Sequence, residues 1–558
     1  RPGLISANSI QGILCMKSIC AWFIMAVLLC GWTSLGAGVY IVDTADPGAG
    51  DSNEGTASHP YKTIAYAVTQ AMPGDTVYVK TGLYNESVVT IRHGEQGAPI
   101  VIAAYPGNAP VIDGTGVETS NTGIHVCHDY ICLKHIKVQH WNLGILLNNA
   151  GFTKMAGCET AQTVFGIAAV NGAHDFFLDS VVMHHFDLFG FDASPSGGAD
   201  CYNGMLVNCV AHTGRDTQQN VDGFALGHGT QYGFLFRQCT AYDVFDGFDI
   251  SSAGTVLEAC ESHHCWNGAY KLWQDRITLV NCIGYACNIS CAELDWDGDP
   301  GRTDLINCTF SGSGVYGIWV ENRQDTLCMR NCIISGCDNI ALAFEQYGTL
   351  QYYGSSNIFH TYSGQRAVCV GYTDEFSSAQ VNSGAWTQYC RQDTGSFAAE
   401  TLDAVFPGVD DLHLFAGSIA RDRGRPDGAP NRDFEGNVRP AGPAWDIGAY
   451  EYSGTDIMPR GRRPADQKGI SVFVWPNPAN SCFRISAGPL NSAGCSASVY
   501  SVTGRCIKTL RLNSRSDGMI TALWDGTDDN GAGTGSGVYF IVVSYKNIAY
   551  VTKAVKTE

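Results

Sequence analysis

One short phrase recurs through the middle of this chain: an apolar residue or two, a usually polar residue, then cysteine. It reads Asn208–Cys209, Gln238–Cys239, Ala259–Cys260, Asn281–Cys282, Asn307–Cys308 and Asn331–Cys332, with successive cysteines 30, 21, 22, 26 and 24 residues apart. A drifting period of that size, with strands of only three to five residues between turns, is the signature of a parallel β-helix in which each repeat is one coil. Equivalent positions of neighbouring coils then stack about 4.7–4.9 Å apart, and a small apolar thiol suits such an inward-facing ladder. Disulfides along the ladder need a torsion that stacked parallel side chains seldom offer. Cys287/Cys291 and Cys328/Cys332/Cys337 have near-ligand spacing but lack the paired rhythm of structural zinc.

The flanking segments fit a capped solenoid. In TIAYAVTQA the residues Ile64, Ala67, Val68 and Ala71 share one helix face, and Pro73–Gly74 stops the helix. A lone short helix ahead of a long β region predicts a cap over an open sheet edge. From Met16 the chain reads MKSICAWFIMAVLLCGW, then TSLGAG, which predicts an export signal cleaved near Gly36 or Ala37. The Cys repeat fades after about residue 372, and 453–469 reads as a linker. From Ile470, short alternating strands separated by DG and NG turns predict a small β-sandwich. The organisation expected is therefore leader 1–37, β-helix 38–452, linker 453–469 and sandwich 470–558.

Charge limits the partners. With 34 Lys+Arg against 53 Asp+Glu the net charge is −19, which disfavours nucleic acid, whose binding rests on clustered cations. It also repels acidic polysaccharides unless a bound cation or a placed Lys inverts the field locally. No segment after the leader could span a bilayer, and a monomer is expected.

Three consecutive coils carry a polar-Gly-aromatic signature: NVDGFA at 220–225, VFDGFDI at 244–250 and NGAYKLW at 267–273. Offsets of 24 and 21 predict that Asp222, Asp246 and Asn267 stack on one face, with Asp249 on the same side and Lys271 one coil beyond it. Converging carboxylates oppose joint ionisation, and a hard cation with oxygen ligands, Ca²⁺ foremost, resolves that conflict. Trp266, Trp273, Trp296 and Trp319 offer faces for sugar stacking. Asn267, Trp273, Asp295 and Asp297 are the candidate substrate contacts, although Asp295, Asp297 and Asp299 also read as a solvated turn.

These coils resemble polysaccharide lyase family 9, calcium-dependent pectate lyases on a right-handed parallel β-helix, whose motifs run through NADGFA-like, DDGWD-like and NGFK-like coils in that order. The resemblance implies an all-β fold, Asp222, Asp246 and Asp249 as calcium ligands, and Lys271 as catalytic base. It implies a secreted lyase cleaving a uronate polymer, pectate or polygalacturonate foremost, by β-elimination, with Lys271 made neutral by burial and by the adjacent cation against the opposing aspartates. One position departs: Phe245 stands where the family has the first Asp of its pair. PNPAN, VTG, WDGTDDNG and SGVYF resemble the Ig-like C-terminal sorting domain of type IX secretion, implying that machinery as a partner and a secreted or cell-surface location. Two rivals remain. A non-catalytic polysaccharide-binding β-helix is favoured by Phe245, and a polygalacturonase-type hydrolase by the GHG run at Gly227–Gly229.

Overall fold

The computed structural model describes residues 37–454 and 471–556, apart from short segments at 195–197, 216–219, 228, 230, 296–300, 322–325, 346–349, 372, 408–410, 476–482, 489–494, 502–504, 515–519 and 546–547. The expected export signal and most of the expected linker lie outside the described residues.

Residues 39–398 wind into a parallel β-solenoid walled by one 14-stranded and two 13-stranded sheets. A single coil shows the plan. Val256–Glu258 contributes to the first sheet, Glu261–His263 to the second and Gly268–Leu272 to the third, after which Ile277–Val280 re-enters the first. Each strand pairs in parallel with the equivalent strand of the next coil, as Val256, Leu257 and Glu258 do with Thr278, Leu279 and Val280.

The turn between the first two sheets explains the repeated phrase. Asn208, Gln238, Ala259, Asn281, Asn307 and Asn331 all sit at φ between 51° and 54°, the left-handed region in which Asn is enriched among non-glycine residues. The following residue turns inward at the corner, and there Cys209, Cys239, Cys260, Cys282, Cys308 and Cys332 are fully buried. Each thiol has a use beyond filling space. Cys282 Sγ donates to Leu257 O at 3.4 Å, and Cys332 Sγ to Leu305 O at 3.4 Å, both carbonyls of the preceding coil. Every described cysteine is a free thiol.

The two ends are covered. Helix Ile64–Gln70 buries Ile64, Ala67 and Val68, and its first amides, Ile64 N and Ala65 N, donate to the Glu86 carboxylate at 2.9 Å each. The winding persists beyond the fading of the repeat at 372. After two short helices, Ser378–Asn382 and Ala385–Cys390, strands Asp393–Thr394 and Phe397–Ala398 rejoin the first and second sheets. The Cys phrase is gone there because Asn357 occupies the inward corner position instead, donating to Met329 O at 2.9 Å.

Residues 411–452 form a clasp held by the asparagine turns. Asn281 Nδ2 donates to Arg432 O, Asn307 Nδ2 to Asp446 O and Gly448 O, and Asn331 Nδ2 to Arg425 O. A fully buried pair, Arg439 with Glu451 at 2.8 Å, ties the clasp to itself.

Residues 471–556 fold separately into two four-stranded antiparallel sheets that share one core containing Phe483, Trp524, Ile541 and Val543, the sandwich expected for this region.

Asn307→Ala should lower unfolding free energy by about 1–3 kcal/mol, combining left-handed strain on a Cβ residue with the loss of two hydrogen bonds to clasp carbonyls that Arg439 still contacts. Asn307→Gly, which tolerates the turn, should cost less. Denaturant titration measures both, and equal losses would refute the strain component.

Candidate active site

The third sheet builds the site because alternate residues of its strands face opposite ways. Phe224, Phe248 and Tyr270 point inward and stack, with centroids 4.9 Å and 5.3 Å apart. Tyr270 is anchored further, its hydroxyl lying 2.8 Å from both Cys260 O and Ile283 O and donating its one proton between them. The residues that follow must then face outward, and they pair as Ala225 with Asp249 and Asp249 with Lys271. The glycine ahead of Phe248 is required by close approach: a Cβ on Gly247 would lie 1.9 Å from Ser262 Oγ and 2.7 Å from Ala269 O.

Lys271 Nζ lies 3.3 Å from Asp249 Oδ2 and 3.6 Å from Asp246 Oδ2 and 4.6 Å from the Trp273 ring centroid. Asp222 and Asp246 are both fully buried. Asp222 accepts from Asn220 Nδ2 at 2.9 Å and from Asp246 N at 3.3 Å; Asp246 Oδ1 accepts from Asn267 Nδ2 and Gly268 N at 2.9 Å each. Asp222, Asp249 and Lys271, together with Asp192, Ser194, Asn220, Ser251 and Trp273, line a cleft of about 250 Å³.

Electrostatically the cluster is tense. Burial, then the neighbouring Asp246 and Asp249, pushes Asp222 well above the usual carboxylate range. Burial lifts Asp246 to about 6 against the pull of Lys271. Burial would lower Lys271, but Asp249, Asp246, Asp222 and Glu293 outweigh it and raise its pKa. Burial by itself does not neutralise this lysine: with three carboxylates this close, the charged form wins in the metal-free cluster.

The residue types fit a hard cation. All the candidate donors are carboxylate oxygens, and buried Asp246 Oδ2 has no hydrogen-bond partner. As placed, no three His, Cys, Asp or Glu side chains among the described residues enclose a common metal position; the Lys271 ammonium stands between Asp246 and Asp249. Phe245 packs against the solenoid core and brings no oxygen.

The register corrects one further expectation. Lys271 follows Asp249 by 22 residues, so Gly268, not Asn267, stacks on Asp246. Asn267 lies one position earlier and reaches back to Asp246 by its amide. Asp295 follows the strand Ser290–Leu294, one coil after Trp273. Asp297, Asp299, Trp296 and the His of the GHG run, His228, lie outside the described residues. Trp266 is exposed, and Trp319 stacks on Tyr316.

Two site residues escaped the sequence reading. Asp192 pairs with Ala225 one coil before the DGFA motif, and Glu293 pairs with Lys271 one coil after. The signal for Asp192 was present, since Gly190-Phe191-Asp192 repeats the Gly247-Phe248-Asp249 pattern. Burial lifts Asp192 to about 6, partly offset by the Ser194 hydroxyl. Burial, Asp246 and Glu321 push Glu293 up to about 8.

Tyr270→Phe removes a buried hydroxyl hydrogen bond and should cost about 0.5–1.5 kcal/mol while lowering turnover, because Lys271 rides on the same strand. Chemical denaturation with parallel rate measurement checks this, and unchanged stability would show the hydroxyl to be redundant.

Known proteins share these features. Residues 44–357 match the family described as Pel9A-like, right handed beta helix region, and residues 473–557 match the secretion system C-terminal sorting domain. The chain is 24% identical over 397 residues to pectate lyase PEL9 of Emericella nidulans, covering 66% of this chain and 88% of that one. It is 28% identical over 283 residues to pectate lyase L of Paenibacillus polymyxa, covering 44% and 58%. The crystal structure of pectate lyase Pel9A covers 75% of this chain and 97% of its own at 17% identity, with a TM-score of 0.45. The sorting domain marks a protein secreted through the type IX system to the cell surface or beyond, and no helix among the described residues is long and apolar enough to cross a membrane. The chain belongs to the Pel9A-like, right-handed β-helix family and is a polysaccharide lyase.

Proposed function

We propose that this lyase cleaves a uronate-containing polysaccharide by calcium-dependent β-elimination, with Lys271 as the base; pectate is the substrate named for its relatives. The observation that carries the reading is the placement of one lysine, Lys271, between two aspartates in the cleft. Asp222, Asp246 and Asp249 would hold the calcium ion, which when bound supplies Lewis acidity toward the uronate carboxylate and acidifies the adjacent C–H. Lys271 Nζ takes that proton, and the glycosidic oxygen departs as the double bond forms, taking a proton from water. Trp273 limits water and sets the direction of the Lys271 side chain through its ring face.

The charge balance makes calcium a requirement. Lys271 is held protonated by its carboxylate neighbours, so it serves as a base only when their charge is compensated. Lys271→Ala should abolish unsaturated product while leaving the melting transition in place. Chelation should do the same to the unaltered protein, and calcium should restore it. Product formation by Lys271→Ala would remove the assignment.

A second test needs no turnover. Asp246 and Glu293, raised to about 6 and about 8, bind more protons folded than unfolded between their ordinary values and these. Their contribution to stability is complete below about pH 4 and is lost as pH rises through 6 to 8. A cation bound to the ionised cluster reverses that loss. Calcium should therefore raise the calorimetric Tm more at pH 8 than at pH 5, and Asp246→Asn should remove the difference. Equal shifts at both pH values would count against calcium at this cluster.

A further inference from the structure

The floor of the cleft is one outward-facing column that runs Asp192, Ala225, Asp249, Lys271 on successive strands of the third sheet. Around Lys271 the charges can cancel, since three aspartates are met by one ammonium and, on the reading above, one divalent cation. Asp192 stands outside that balance. It lies two strands before Asp249, about 10 Å along the column, is 6% exposed, and accepts a hydrogen bond from the Ser194 hydroxyl.

Among the described residues, nothing on this side of the cleft compensates Asp192. Its described lining is Ser194, Asn220, Ala225, Gly227 and Ser251, which offers hydroxyls, an amide and backbone but no cation. Between Phe189 and Tyr232 the sequence holds a single Lys or Arg, Arg215, and its guanidinium is taken up by Asp187 through two 2.6 Å contacts. A sugar unit is comparable in length to the strand spacing of about 4.8 Å. A polymer with a carboxylate on every unit would therefore set one of them against Asp192.

Resting on the lyase reading, we propose that Asp192 is a specificity determinant: the subsite on the N-terminal side of the reacting uronate takes an uncharged sugar unit, hydrogen-bonded by Asp192, Ser194 and Ser251. The shared chemistry is a hydroxyl-bearing unit without a free carboxylate. It can come from a neutral sugar alternating with uronate or from an esterified uronate.

The test uses the full chain carrying Lys271→Ala, so that nothing is cleaved, with calcium present. Affinity electrophoresis compares a contiguous polygalacturonate, its highly methyl-esterified form, and a polymer in which galacturonate alternates with a neutral deoxyhexose. The two uncharged-neighbour polymers should be retained more strongly, and which of them leads identifies the source. Adding Asp192→Asn, nearly isosteric, should raise affinity for the contiguous polyuronate about fourfold or more, the repulsion of two unit charges about 5 Å apart in water. It should not raise retention on the alternating polymer. Tighter binding of contiguous polyuronate than of both others, or no change with Asp192→Asn, overturns the proposal. Asp192→Ser serves as the second variant if the first misfolds. Unsaturated product from the protein with Lys271 intact is read separately: its absence on every polymer rejects the lyase reading, while the order of retention still decides the role of Asp192.

Discussion

Register between coils is the constraint on which the rest of this molecule depends. In a parallel solenoid every strand takes its position from the one before it, and a slip of one residue reverses every side chain on that strand. The inward stack of Phe224, Phe248 and Tyr270 makes such a slip expensive on the third sheet, because it would exchange large buried rings for charged groups. Asp249 and Lys271 face the cleft together as a consequence of what lies beneath them.

The turns solve a second problem of the same geometry. A two-residue corner needs a left-handed residue, and asparagine accepts that conformation at low cost. Its side chain is then left pointing out of the corner, where Asn281, Asn307 and Asn331 grip the clasp of residues 411–452. The cysteine that follows fills the corner and donates weakly to a carbonyl of the previous coil, which Val or Ala could not do. A secreted chain rich in cysteine thus keeps its described thiols free, since burial and stacking, not bridging, account for them.

At the site, burial and like charge act in the same direction on the carboxylates and in opposite directions on the lysine. Asp222 and Asp246 are raised by both effects. Lys271 is pulled down by desolvation and up by its neighbours, and the neighbours prevail. The arrangement stores unfavourable charge in a rigid frame. The overall acidity of −19 and the acidity of the cleft are thus distinct matters: the first is general repulsion, the second a local balance with a remainder at Asp192.

Periodicity alone determined a good part of this protein. The Cys phrase exposed the coils, the spacing of DGFA, DGFD and AYK motifs placed Asp222, Asp246, Asp249 and Lys271 on one face, and turn composition separated the C-terminal sandwich, because stacked repeats are local patterns that recur at fixed intervals. What sequence could not decide depended on lengths and energies that vary from coil to coil. Whether the coil step from Asp246 was 21 or 22 residues rested on the loop at Cys265–Asn267, and the one-residue difference moved Asn267 out of the column. Asp192 stayed hidden because the 33-residue step from it to Ala225 obscured the repeat. The winding past residue 372 was invisible because helices interrupt it. The protonation of Lys271 was decided only by distance, since desolvation and Coulomb attraction compete and their balance is set by separations of 3.3 Å and 3.6 Å that no sequence spacing contains.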